Sequence, residues 1–160
     1  NNPNQRVMIM EDRYLDDFKI GEQFHMPGVT ITEAEIINFA LHYDPQPFHL
    51  DRPAAEASLY GGLIASGFQT LALTFRLFIQ SGLLRSASMG SPGMDQVQWL
   101  APLKAGETLH TVVEVIDVRP SSKKPDRGIL RLQYEGRIQS GEPVTRFIVN
   151  HFVLRRTTQE

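Results

Sequence analysis

Hydrophobic residues recur at helical spacing early in the chain. Thr32 and Glu35 form a capping-box pattern. Apolar residues follow on one helical face, namely Ile36, Ile37, Ala40 and Leu41. We expect this helix to end near Tyr43, because Asp44 precedes Pro45 and a residue before proline avoids the helical conformation.

A second, short helix is predicted after a proline-stiffened stretch at 44–49. Asp51 precedes Pro53, and this pattern is typical of a helix cap followed by a first turn that contains proline. The apolar and small residues that follow predict a helix through Ala57.

A longer helix is predicted from a second capping box at Ser66 and Gln69 to about Gly82. Its apolar positions recur at helical spacing and are Phe68, Leu71, Ala72, Phe75, Phe78 and Ile79. Leu73 and Leu77 fill other faces, so we expect this helix to be apolar nearly all round and therefore buried.

The second half of the chain changes to a period of two, which is the period of a half-buried strand. Five strands are predicted, at 21–31, 96–100, 109–118, 128–135 and 144–154. Because helices come early and strands late, we expect an α+β fold in which an antiparallel sheet wraps the long apolar helix. Residues 1–13 are predicted to form a loose arm, and residues 14–157 to form one domain.

The amino-acid composition limits the kinds of function that this protein can have. The 160 residues include no cysteine, which excludes disulfides, thiolate metal sites and cysteine nucleophiles. The chain has 16 Lys and Arg residues and 18 Asp and Glu residues, so the net charge is −2 and a nucleic-acid partner is not expected. Residues 57–75 carry no charge and approach the length of a membrane span. Their glycines and polar side chains nevertheless favour burial in a soluble protein over contact with lipid, so no membrane partner is expected.

Two neighbouring segments of the sequence resemble those of a known family. Residues 44–55 read Asp-Pro-Gln-Pro-Phe-His-Leu-Asp-Arg-Pro-Ala-Ala, and residues 63–67 read Leu-Ile-Ala-Ser-Gly. This pattern resembles the MaoC-like dehydratase and (R)-specific enoyl-CoA hydratase family, whose motif is Asp-x-Asn-Pro-x-His followed by a glycine at the start of a central helix. The resemblance covers roughly residues 14–156. Gln46 stands where the family usually has asparagine, and Ser66 stands where a histidine often precedes the glycine.

The resemblance implies a hotdog fold, in which a long central helix is wrapped by an antiparallel sheet. It also implies reversible hydration of a 2-enoyl-CoA to an (R)-3-hydroxyacyl-CoA. In this reading Asp44 and His49 hold a water between them, and the backbone N–H of Gly67 is the oxyanion donor. Substrate contacts are expected from Gln46, Phe48, Ser66 and Phe68. CoA is part of the substrate, so no separate cofactor and no metal are expected.

The residue types suit this chemistry. Hydration of an enoyl thioester needs a base, an acid and donors to the developing enolate oxygen. An aspartate and a histidine supply the first two, and we expect burial to raise the pKa of Asp44. The free N–H at a helix start supplies the third, and glycine lets a carbonyl approach closely. In a purely structural interpretation, Asp44 caps a helix, His49 is a polar core residue and Gly67 permits close packing.

Two other functions stay open. One is a hotdog thioesterase, although Tyr60 rather than histidine precedes Gly61 and Gly62. The other is a non-catalytic subunit that binds acyl-CoA. Hotdog domains usually pair through sheet edges, so we expect a homodimer or a higher homo-oligomer with the acyl tunnel near the subunit boundary. The start of the sequence shows no signal-peptide pattern, and the cytoplasm is the expected location.

Overall fold

A computed structural model describes residues 10–157. It begins with a 3-10 turn at Leu15–Asp17. The α-helices are α1 (Glu33–Tyr43), α2 (Pro47–Leu50), α3 (Arg52–Ala57) and α4 (Gly67–Ile79). The strands are β1 (Gln23–His25), β2 (Val29–Thr30), β3 (Gly93–Trp99), β4 (Thr108–Pro120), β5 (Arg127–Arg137) and β6 (Pro143–Leu154).

The strands form one antiparallel sheet in the order β1-β4-β5-β6-β3, and β2 pairs with β4. Four of the five predicted strands are confirmed. Three of them extend beyond the predicted bounds at one or both ends, and the strand predicted at 96–100 begins at Gly93 and ends at Trp99. The fifth, predicted over 21–31, is broken into β1 and β2 around Pro27 and Gly28. Proline has no N–H for a sheet ladder. A Cβ on Gly28 would lie 2.8 Å from Cγ2 of Thr108, so the backbone passes close to β4 at this point.

Helix α4 lies across the centre of the sheet. The hydroxyl of Thr111 on β4 donates to the carbonyl of Thr74 at 2.7 Å, and both side chains are buried. A Cβ on Gly136 of β5 would lie 2.5 Å from Oγ1 of Thr74, so glycine is required for this close approach. The predicted α+β class and hotdog arrangement, a central helix wrapped by an antiparallel sheet, are confirmed.

The start of α4 is correctly predicted, but its capping differs in detail. The Ser66 hydroxyl accepts from the N–H of Phe68 at 3.3 Å. Gln69 does not complete a capping box, because its side-chain amide donates to the carbonyl of Glu35 on α1 at 3.1 Å. The helix ends at Ile79 rather than near Gly82, whose φ of 74° belongs to the turn that follows.

The expectation that α4 is buried all round is wrong for this chain. The face toward the sheet is buried and comprises Gln69, Thr70, Leu73, Thr74, Leu77 and Phe78. On the opposite face Phe68 is 63% exposed and Ile79 is 44% exposed. The spacing of the apolar residues indicates how hydrophobic each face of the helix is, but it does not indicate which face the sheet covers. Within residues 10–157 no helix is both long and apolar enough to cross a lipid bilayer.

The helices before α4 follow their predicted caps. Thr32 caps α1 by accepting from the N–H of Glu35 at 3.2 Å, and Asp51 caps α3 by accepting from the N–H of Ala54 at 3.2 Å. The stretch predicted as merely proline-stiffened contains one more helical turn, α2, which has Pro47 at its first position.

Residues 10–13 differ from the predicted loose arm. The N–H of Met10 donates to the carbonyl of Ser81 at 2.7 Å, and that of Arg13 donates to the carbonyl of Leu83 at 2.8 Å. These bonds hold the segment against the connection that follows α4. The rest of the predicted arm, residues 1–9, lies outside the described residues.

Candidate active site

Asp44 and His49 are positioned by two consecutive local elements, the end of α1 and the single turn of α2. Asp44 ends α1, where its N–H donates to the carbonyl of Ala40 at 3.0 Å. The chain turns immediately, because the N–H of Gln46 donates to the carbonyl of Asp44 at 2.8 Å. The single turn of α2 then points His49 back toward Asp44.

The two side chains are in direct contact. Nε2 of His49 lies 3.1 Å from Oδ2 of Asp44. On the other side of the ring, Nδ1 lies 2.6 Å from the carbonyl oxygen of Ile64. His49 is only 4% exposed, so both ring nitrogens are held away from bulk water.

This geometry fixes the proton on one side of the imidazole. A carbonyl oxygen only accepts, so Nδ1 of His49 carries a hydrogen and donates to Ile64. A hydrogen bond between Nε2 and Asp44 then requires one further proton, which belongs to the pair rather than to either residue. The pair can therefore exchange one proton between a carboxylate and an imidazole.

Two further side chains donate to the carboxylate of Asp44. The Gln46 side-chain amide donates to Oδ1 at 2.7 Å, and the Ser66 hydroxyl donates to Oδ2 at 2.7 Å. Partial burial acts to raise the pKa of Asp44, but the hydrogen bonds from Gln46 and Ser66 and the nearby His49 outweigh it, so that the pKa is lowered from 3.8. The expectation that burial raises this pKa is therefore wrong in sign.

Six of the seven residues predicted for the site line one cavity of about 450 Å³. They are Asp44, Gln46, Phe48, His49, Gly67 and Phe68. The seventh, Ser66, is fully buried and does not line the cavity. Its hydroxyl contacts Asp44 and the start of α4, so it connects the carboxylate to the helix N-terminus.

Gly67 is the first residue of α4, and no acceptor is paired with its N–H within residues 10–157. The positive end of the helix dipole also lies here. A Cβ at this position would lie 2.5 Å from Nε1 and 2.6 Å from Cε2 of Trp99. Glycine is thus required both by the indole that packs against it and by any oxygen that approaches the N–H.

Sequence reasoning missed part of the cavity wall. Tyr60 packs at 5.4 Å from Phe48, and Trp99 packs at 5.9 Å from Phe68, measured between ring centroids. The stretch 99–103 follows the edge strand β3 and lines the cavity. Residues 99–102 read Trp-Leu-Ala-Pro, but the contact of Trp99 with α4 depends on how the sheet closes, and no local pattern predicts it.

The other histidines lie away from the Asp44–His49 pair. Nδ1 of His42 lies 2.7 Å from the carbonyl oxygen of Asn38, and His42 lines a second cavity of about 460 Å³ between α1 and α4. Nε2 of His151, which is buried under α4, lies 2.7 Å from the hydroxyl of Tyr134. Burial lowers the pKa of His151 to about 4.

The fold and the site define a hotdog protein with an Asp–His pair beside the start of its central helix. A family model for the MaoC like domain matches residues 17–132, and the chain therefore belongs to the MaoC-like domain family. Among curated proteins, it is 35% identical over 116 residues to Uncharacterized protein YdeM of Bacillus subtilis (strain 168), covering 72% of this chain and 81% of that protein. It is 34% identical over 92 residues to 3-hydroxyacyl-thioester dehydratase Z of Mycobacterium tuberculosis, covering 56% of this chain and 61% of that protein.

Two solved structures extend the comparison. The MaoC-like dehydratase from Rhodospirillum rubrum superposes with a TM-score of 0.84 at 38% identity, covering 91% of this chain and 99% of that chain. The (R)-hydratase PhaJ1 from Pseudomonas aeruginosa superposes with a TM-score of 0.72 at 20% identity, covering 92% of each chain. The second likeness is one of fold alone.

Proposed function

We propose that this protein catalyses the reversible hydration of a 2-enoyl-CoA to an (R)-3-hydroxyacyl-CoA. The observation that carries the proposal is the 3.1 Å contact between Nε2 of His49 and Oδ2 of Asp44, in a cavity that is also lined by Gly67, whose N–H has no acceptor among residues 10–157. The name of the related 3-hydroxyacyl-thioester dehydratase supports the substrate class, and the (R) configuration is the one that the family resemblance implies. Fatty acid metabolism is the corresponding area of metabolism.

The Asp44–His49 pair can perform both proton transfers. The oxygen of a water bound in the cavity beside both side chains bonds to C3 of the enoyl group, and the C2–C3 π electrons move toward the thioester oxygen. The water proton passes to the pair. The enolate then collapses and takes a proton at C2 from the pair, so the pair ends with the same number of protons with which it began.

The thioester oxygen gains negative charge during this step. The N–H of Gly67 has no partner in the described part of the chain and lies at the positive end of α4, where it stabilises that charge. Gln46, Phe48 and Phe68 line the cavity and are proposed to contact the acyl thioester. CoA stays attached to the acyl group throughout the reaction, and the proposal invokes no separate cofactor or metal.

The direct test is to mix the purified protein with crotonyl-CoA and follow loss of the conjugated enoyl absorbance. We expect turnover that depends on enzyme concentration and yields 3-hydroxybutyryl-CoA, with the (R) enantiomer identified by chiral chromatography. Release of free thiol from saturated acyl-CoA substrates would instead indicate a thioesterase. Saturable binding of acyl-CoA with neither reaction, across a series of chain lengths, would indicate a binding subunit.

We also propose that two copies pair through β3. This strand is at one end of the sheet and bonds only to β6 among the described strands, and all of its residues are exposed. A free edge with apolar side chains such as Met94 and Val97 is prone to pair with another strand. Trp99 ends this strand beside Phe68, so pairing here brings the partner near the proposed active site. We place the homodimer in the cytoplasm, because a cysteine-free chain has no need of an oxidising compartment.

A further inference from the structure

The indole of Trp99 lies directly over the N-terminus of α4. A Cβ on Gly67 would be 2.5 Å from the indole Nε1, which is closer than to any other atom there. A Cβ lies about 2.5 Å from its own backbone nitrogen by standard bond lengths and angles. The indole nitrogen and the nitrogen of Gly67 are therefore within about 5 Å of each other.

Neither N–H has an acceptor. The indole N–H of Trp99, like the N–H of Gly67, is unpaired in the part of the chain that the structure describes. Both residues line the same cavity as Asp44 and His49. Two donors within about 5 Å of each other, at the wall of one cavity, are close enough to contact a single oxygen atom.

An irregularity in β3 places the indole there. Asp95 pairs with Ile148 and Gln98 pairs with Arg146, so three steps along β3 match two steps along β6. One extra residue reverses the alternation of side chains beyond the bulge. Gln96, within the bulge, has a φ of 51°, which is costly for a residue other than glycine. Without the extra residue, the side chain of Trp99 would project from the other face of the strand.

We propose that the indole N–H of Trp99 is a second donor to the thioester oxygen, acting together with the N–H of Gly67. This inference rests on the proposed hydratase function and adds a catalytic residue to it. Trp99 lines the cavity that also contains Asp44 and His49, so its indole is accessible to a substrate that enters this cavity. Its edge-to-face contact with Phe68, at 5.9 Å and 68°, holds the ring against α4.

The test removes the N–H and keeps the ring. In Trp99→Phe the donor is lost, and replacement of Trp99 by benzothienylalanine substitutes a sulfur for the N–H with little change of shape. Trp99 is the sole tryptophan, so global labelling changes no other site. We expect kcat for crotonyl-CoA hydration to fall about tenfold to a hundredfold in both proteins with little change in KM, because the donor acts on charge that develops in the transition state. Met94→Leu, a conservative change on the same strand, is the matched control and is expected to keep the wild-type kcat.

Melting temperature and mass by light scattering establish that each variant is folded and assembled as the wild type is. A raised KM with unchanged kcat would overturn the proposal, because it would make Trp99 only a packing surface for substrate. An unchanged kcat in the benzothienylalanine protein would overturn it as well. If the wild-type protein hydrates no enoyl-CoA, the proposed function fails, and the role of Trp99 fails with it.

The single tryptophan also gives a readout that is independent of turnover. Butyryl-CoA, which is saturated and is not hydrated, is titrated into the wild-type protein while Trp99 emission is recorded. We expect a saturable change in intensity or wavelength, because the thioester oxygen is placed at the indole N–H. Binding seen by calorimetry with no change in Trp99 emission would contradict the assigned position of the substrate.

Discussion

Nε2 of His49 lies 3.1 Å from Oδ2 of Asp44, while Nδ1 of the same ring donates to the carbonyl of Ile64 at 2.6 Å. The ring is therefore fixed at both nitrogens, and the bond to Asp44 requires a proton that the two residues share. A pair that takes one proton from water and returns one to carbon must be able to share a proton in this way. The geometry thus connects a local turn of the chain with the two proton transfers of hydration.

Asp44→Asn and His49→Ala are each expected to lower kcat for crotonyl-CoA hydration by about 10²–10⁴-fold, because each removes one member of the proton-transfer pair. The double variant should be little worse than either single variant, since the residues act as a unit. Steady-state kinetics on the three proteins measure this. Full activity in either single variant would refute the proposed chemistry.

Ser66→Ala tests the hydroxyl that both caps α4 and donates to Asp44 at 2.7 Å. Loss of the cap should lower the free energy of unfolding by about 0.5–2 kcal/mol. Loss of the donor to the carboxylate should raise the pKa of Asp44, and the acid limb of the profile of kcat/KM against pH should move to higher pH.

Thr32→Ala is the matched control for Ser66→Ala, because Thr32 caps α1 and makes no contact with Asp44. It is expected to cost a similar free energy of unfolding and to leave the acid limb in place. Equal pH profiles for the two variants would show that Ser66 has no role beyond capping.

Local sequence signals predicted the parts of this site that depend on neighbours in the chain. The caps at Thr32 and Asp51 determine where α1 and α3 begin, and the proline after Asp44 determines where α1 ends. These limits place Asp44 and His49, which are five residues apart in the sequence, on either side of one turn. Ser66 marked the start of α4 for the same reason, since an N-cap is a local hydrogen bond.

Contacts between distant segments could not be predicted in this way. The carbonyl of Ile64 has no side-chain signature, although it orients His49. Trp99 reaches Gly67 only because β3 joins the far end of the sheet with one extra residue. The exposed face of α4 is as apolar as its buried face, so composition did not reveal which of the two the sheet covers. The sign of the pKa shift at Asp44 likewise depends on donors that the fold supplies.

Gly67→Ala should reduce both stability and turnover, because its Cβ would collide with the Trp99 indole. Overpacking of this kind costs about 1–3 kcal/mol. Trp99→Ala removes the obstruction and separates the two effects. In that background Gly67→Ala should change the melting temperature little but still lower kcat/KM, because the methyl group keeps the thioester oxygen from the N–H. No loss of kcat/KM in that background would assign Gly67 to packing alone.

The buried contact between His151 and Tyr134 predicts a loss of stability in acid. Burial lowers the pKa of His151 in the folded protein from 6.5 to about 4. The unfolded chain therefore binds more protons than the folded protein between these values, and stability falls as pH decreases through that window. The shift corresponds to about 3 kcal/mol at most. Urea unfolding of wild type and His151→Gln at several pH values measures it, and the variant should show a flatter dependence over pH 6.5 to 4. Parallel curves for the two proteins would contradict a lowered pKa of His151 as the cause of the pH dependence.

Pairing of two copies through β3 can be tested with a single charge on that strand. Val97 is 38% exposed beside the free edge, and a lysine there opposes the approach of a second strand. We expect Val97→Lys to weaken the dimer at least about tenfold, corresponding to about 1.4 kcal/mol, as measured by light scattering over a dilution series. Ile20→Lys is the control, because Ile20 is also exposed but precedes β1, at the opposite end of the sheet. A dimer that persists unchanged in Val97→Lys but dissociates in Ile20→Lys would place the interface at the β1 end instead. Since Trp99 ends β3, monomeric Val97→Lys should also show altered Trp99 emission, whereas Ile20→Lys should not.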